Sequence, residues 1–115
     1  GVGPRERGTK KIPGVTLNES GEIESYDIEL QCRSVFQNVR WILEDAGSSW
    51  DKIVDVTVFL TNMKDDFETY NKIYAEYFKD NQPCRTTVEI KSLPTPIAIE
   101  LKCIAIIWIL LLNDW

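Results

Sequence analysis

A chain of 115 residues with 43% apolar residues is long enough for one domain with a modest core. Its net charge of −5 argues against nucleic acid as a partner. The absence of histidine excludes His-based triads, His-ligated zinc and histidine general bases at once.

Residues 1–24 are rich in Gly, Pro and charge and read mostly as loop, with GVTL the one candidate short strand. Arg5, Arg7, Lys10 and Lys11 form the only basic cluster. It reads as a solvated loop or, functionally, as a cationic flap for a second acidic group on a ligand. The opening residues carry no apolar run of the signal-peptide kind, so a cytoplasmic protein is expected. Cys32, Cys84 and Cys103 are an odd set without paired spacing and read as free thiols of a reducing compartment. The start at Gly1, without Met, points to a processed, cut or partial chain.

Residues 27–46 are the first predicted helix. Ile28, Cys32, Val35, Phe36, Val39, Ile42, Leu43 and Ala46 recur at spacings of three and four. Asp27 is placed to cap its start and Gly47 to end it. Trp41 on this helix reads as a packing residue. The SSWD run at 48–51 fits a small capped turn. Residues 53–61 are β-branched and strand-like. Residues 62–66 read as a turn, and residues 67–78 as a second helix with Phe67, Tyr70, Ile73, Tyr74, Tyr77 and Phe78 on its buried side. Strand, helix and the next strand make a βαβ unit, which predicts two parallel strands.

Residues 83–105, PCRTTVEIKSLPTPIAIELKCIA, read as strand, Pro-punctuated connection and strand. Over 85–91, Arg85, Thr87 and Glu89 share one side, and Thr86, Val88 and Ile90 the other. Over 97–103, Ile97, Ile99, Leu101 and Cys103 alternate with Ala98, Glu100 and Lys102. Arg85 and Glu100 thus each sit on the more polar side of a strand. An arginine suits a carboxylate through two parallel hydrogen bonds. A glutamate beside it can move protons or orient a water. The plainer reading is a structural ion pair, or two unrelated solvated charges. Cys84, next to Arg85, reads as a structural thiol. The apolar run at 104–112, IAIIWILLL, falls short of the ~20 residues of a membrane helix. It is expected in a subunit contact or the core, with no membrane partner.

These residues carry a resemblance. Pro83, Cys84, Arg85, Leu93, Pro94, Glu100, Ile104 and Ala105 match the pattern of the RidA/YjgF family, and the likeness runs back through both predicted helices to cover residues 1–106. Within that family, GVGPRERG and the PCRTTVEI…LPTPIAIELK run look most like proteins described as 2-aminomuconate deaminase. The resemblance implies a single domain of α+β class, with a chorismate-mutase-like mixed sheet and two helices on one face. It implies a homotrimer around a barrel-like centre, with ligand sites between subunits. It further implies hydrolysis of enamine or imine acids with release of ammonia, without a metal or organic cofactor. In that picture Arg85 binds the substrate carboxylate, Glu100 handles water and proton, and Thr87 and Asn71 line the pocket. For Asn71 a helix-surface position is the competing reading. The broad 2-imino acid deaminase and a non-catalytic ligand-binding or chaperone-like trimer stay open as alternatives. A family hairpin that precedes GVGPRERG is expected to be missing, which would remove one wall of the site.

Overall fold

The structure, a computed structural model, describes residues 1–107. The order is β1 (Val15–Leu17), β2 (Ile23–Tyr26), α1 (Ile28–Asp45), β3 (Ile53–Leu60), α2 (Met63–Tyr77), β4 (Cys84–Glu89) and β5 (Ile99–Ala105). A single 3-10 turn at Trp50–Lys52 occupies the predicted capped turn.

Asp27 caps α1 as its sequence position requires, accepting the Leu30 N–H at 3.1 Å. Gly47, at φ +84°, carries the chain out of the helix through a conformation that side chains disfavour. The second helix starts earlier than its apolar period suggests. Asn62 accepts the Asp65 N–H at 3.1 Å and the helix begins at Met63. Asp65 and Asp66 are therefore first-turn acids, stabilised by the positive end of the helix dipole, and not turn residues.

The main sheet has the order β4-β3-β5, with β3 parallel to β4 and antiparallel to β5. This bears out the predicted parallel pair. Val2 adds an antiparallel bridge beside Leu101. β1 and β2 form a separate hairpin, of which only the first strand was expected. Strand parity decides what each face buries. Val56, Val58 and Leu60 of β3 lie beside Ile99 and Leu101 of β5, all five fully buried against the helices. Cys32, Val35, Phe36 and Val39 of α1 and Tyr70, Ile73 and Tyr74 of α2 meet them there. Each such aliphatic side chain contributes about 1.5–3 kcal/mol of burial.

The opposite face carries Thr57, Phe59, Thr86, Val88, Glu100 and Lys102, and neither helix packs on it. Ile104, on that face, is 51% exposed. The layering is α+β with two helices on one face, as expected. β5 begins two residues later than the alternation predicted. Ile97 and Ala98 are both buried, because the Ala98 backbone serves Gln31 and Thr61. Of the apolar run at 104–112, Ile104, Ile106 and Ile107 are about half exposed and Ala105 packs against the core, and residues 108–112 lie outside the described residues. Among the described residues no helix is long and apolar enough to cross a membrane. All three cysteines are free thiols. Burial above all pushes the Cys32 thiol up to about 12 and the Cys103 thiol up to about 11.

Candidate functional site

β4 pairs with β3 so that Arg85, Thr87 and Glu89 sit opposite Val56, Val58 and Leu60, on the helix side of the sheet. All three reach α2. Glu89 accepts the Met63 N–H at 2.8 Å and so caps the helix. The Thr87 hydroxyl lies 3.0 Å from that of Tyr70. Arg85 donates from Nη1 to Asn71 Oδ1 at 2.7 Å, with the Tyr70 hydroxyl at 3.4 Å. Its guanidinium stands over the Tyr74 ring, 4.5 Å from the centroid. A planar cation stacked on one side and hydrogen-bonded on another keeps few rotamers, so its remaining donors are pre-aimed.

No carboxylate comes within ion-pair distance of Arg85 among the described residues. Its tyrosine neighbours stay neutral. Burial, then Tyr70, pushes the Tyr74 phenol up to about 12 against the opposing pull of Arg85. Burial likewise raises Tyr70, against the pull of Thr87 and Arg85. Beside them lies a groove of about 490 Å³ lined by Asn71, Tyr74, Phe78, Lys79, Pro83 and Arg85, among others. Its lining holds two cations and no acid, in a volume that suits a small organic anion.

Glu100 is not beside Arg85 within one chain. It pairs with Phe59, whereas Arg85 pairs with Val56. Positions three apart on a strand face opposite sides, so the sheet separates the two groups. Glu100 lies half-buried on the uncovered face, next to Gly1. A Cβ at Gly1 would fall 2.7 Å from Glu100 Cδ, so a side chain there would have to displace that carboxylate. Asn71 thus joins Arg85 directly, Thr87 joins through Tyr70, and Glu100 belongs to another surface. Tyr74 does more than the packing its sequence position suggested. The only hint was that Tyr70 and Tyr74, at i and i+4, share a helix face ahead of the strand bearing Arg85.

The basic cluster divides. Arg7 forms an ion pair with Asp45 and lies 5.5 Å from the Trp41 ring, which is itself 38% exposed and so not a core residue. Arg5, Lys10 and Lys11 line a separate groove of about 680 Å³ with Ile12, Val15 and Leu30. They have no ion-pair partner among the described residues. Cys84 is exposed at the start of β4.

Comparison with known proteins places these features in context. The family model described as Endoribonuclease L-PSP matches residues 11–107. A RutC family protein of Pyrococcus abyssi is 42% identical over 87 residues, spanning 76% of this chain and 68% of the relative. The chloroplastic Reactive Intermediate Deaminase A of Arabidopsis thaliana is 36% identical over 89 residues, spanning 77% of this chain and 47% of that protein. The crystal structure of yeast Mmf1 superposes with a TM-score of 0.77 at 34% identity, covering 93% of this chain and 77% of that one.

Proposed function

The chain belongs to the RidA/YjgF family, and from that premise we propose that it is a cofactor-independent hydrolytic deaminase of imino and enamine acids. The observation that carries this reading is the Arg85 guanidinium, held by Tyr74 and Asn71 at a groove without acids. The deaminase name of the Arabidopsis relative supports it. Two cations in one groove suit a single small acid better than a polyanion.

An imine carbon is already electrophilic, so the protein has only to hold the acid, place a water and manage protons. Arg85 grips the substrate carboxylate with the donors that Asn71 leaves. Water adds to the C=N carbon, and its proton passes to Glu100. Glu100 returns that proton to the nitrogen to give a carbinolamine, then takes the hydroxyl proton and passes it to the amine as the C–N bond breaks, so that ammonia leaves and a 2-oxo acid remains. Because the sheet separates Arg85 from Glu100 in one chain, the Glu100 that serves a given Arg85 comes from another copy. Arg85 lies on the edge strand β4 and Glu100 toward the other edge. A head-to-tail ring of three copies joins those edges and covers the open face.

Within that class we favour 2-aminomuconate or a similar unsaturated dicarboxylic acid. Arg5 supports this choice. Without an ion-pair partner among the described residues, it lines a groove of about 320 Å³ with Gly1, Gly3, Glu6 and Asn38, whereas Arg7, in the same groove, is committed to Asp45. The test is ammonia release from 2-aminomuconate and from a freshly generated 2-imino acid, by the wild type and by Arg85→Ala. We expect turnover with a preference for the dicarboxylate, and a loss of about 100-fold or more in the variant, since two charge-assisted hydrogen bonds go. A folded wild type that accelerates neither reaction overturns the proposal and leaves a ligand-binding protein.

A further inference from the structure

Helix α1 spends an unusual set of side chains on backbone. Gln31 is fully buried, and its Oε1 accepts the Ala98 N–H at 2.8 Å. The Ser34 hydroxyl donates to the Pro4 carbonyl at 2.6 Å. Asn38 Nδ2 donates to the carbonyls of Gly3 at 2.9 Å and Arg5 at 2.7 Å. These three residues stand at i, i+3 and i+7, within an arc of about 60° on the helix. The stripe adjoins the apolar face of Cys32, Val35, Phe36 and Val39, and it replaces packing area with polar groups. Gln31 Nε2 is buried without a partner, an arrangement that core packing alone does not favour.

The backbone that the stripe holds lies on both sides of one carboxylate. Ala98 comes two residues before Glu100. Residues 3–5 follow the Val2 bridge, in which Val2 N donates to the Leu101 carbonyl at 2.6 Å and Leu101 N donates to the Val2 carbonyl at 2.8 Å. That bridge brings Gly1 against the Glu100 side chain. We propose that Gln31, Ser34 and Asn38 are positioning residues that fix the Glu100 carboxylate against the Gly1–Gly3 edge. They touch no reacting atom, Asn38 also lining the Arg5 groove, and they act through the two backbone segments, residues 3–5 and Ala98, that adjoin Glu100 and its neighbour Gly1. None of their hydrogen bonds reaches Arg85, Tyr74 or Asn71.

This rests on the deaminase reading, and the experiment separates the two. Asn38→Asp keeps the side chain's size but turns a carboxylate toward two carbonyl oxygens, and Ser34→Ala removes the other donor. Each variant is assayed for ammonia release beside the wild type, with melting temperature as the check on folding and amide exchange as an independent readout. The Val2 and Leu101 amides should exchange about tenfold faster or more, while β3–β4 amides such as Val88 keep their protection. The kcat for a 2-imino acid should fall about tenfold, with KM changed less than about threefold, because the Arg85 clamp is untouched. Unchanged kcat in a variant whose Val2–Leu101 bridge has opened overturns the proposal and leaves the deaminase reading standing. So does unchanged exchange in both variants, or a loss confined to KM. A wild type that releases no ammonia sinks the reading, and the proposal with it.

Discussion

Replacing Asn71 by Asp puts the availability of the Arg85 cation to a quantitative test. Asn71 Oδ1 accepts from Arg85 Nη1 at 2.7 Å, so an aspartate keeps the acceptor and adds a negative charge. A ligand carboxylate on the far side of the guanidinium would stand about 6 Å from that charge. Repulsion at this distance is about 0.7 kcal/mol at the dielectric of water and about 3 kcal/mol at the value of about 20 suited to a protein surface. Arg85 is exposed, which selects the lower part of that range. We therefore expect affinity for a small 2-oxo acid to fall about 3- to 20-fold, read by titration calorimetry. The loss should shrink in about 0.5 M salt, where screening acts within a few ångströms. The same substitution creates an exposed Arg–Asp pair, so the melting temperature should hold or rise slightly. Affinity and stability then move in opposite directions. An Asn71→Asp protein that binds the acid as tightly as the wild type refutes the claim that Arg85 is kept unpaired for an anion.

Other expectations follow from the same geometry. The Tyr26 hydroxyl donates to Asp66 Oδ2 at 2.5 Å, and burial raises the Asp66 carboxyl above its usual 3.8 while this bond lowers it. The folded state thus holds the Asp66 proton more tightly than the unfolded one, and stability from this group falls as pH rises from about 4 through the raised value. Tyr26→Phe raises that value further, so thermal melts should show a loss of about 1.5–3 kcal/mol at pH 7 and a smaller one at pH 4. An equal loss at both would contradict the argument. Glu89→Ala removes the acceptor for the Met63 N–H and should cost about 1 kcal/mol in chemical denaturation, with no loss if the cap is idle. Ile104→Glu places a charge on the open face and should shift sedimentation from the proposed trimer toward monomer. An unchanged assembly would mean that this face is not the contact.

What the sequence made legible was local. Helix α1 has a clean apolar period, an aspartate that caps it and a glycine that ends it, so its limits were readable to within a residue. Helix α2 was read short because its start is marked by a cap and two acids, Asn62, Asp65 and Asp66, and sustained apolar periodicity begins only at Phe67. The alternation along β4 and along β5 was correct for each strand. Whether Arg85 and Glu100 share a face depends on how both strands register against β3, which neither strand encodes alone. The Tyr74 platform escaped notice for a related reason. A tyrosine on a buried helix face looks the same whether it fills the core or carries a cation, until the neighbouring strand is placed.

We propose that each site is completed by Arg85 of one copy and Glu100 of another. Arg85→Ala and Glu100→Gln proteins, each inactive alone, can be unfolded together, refolded as a mixture and assayed for ammonia release. In a head-to-tail ring assembled at random from equal parts, about one site in four receives an intact Arg85 and an intact Glu100. Recovery of about a quarter of the wild-type rate is the predicted result. A mixture as inactive as its two components, though assembled into the same oligomer, would contradict the claim.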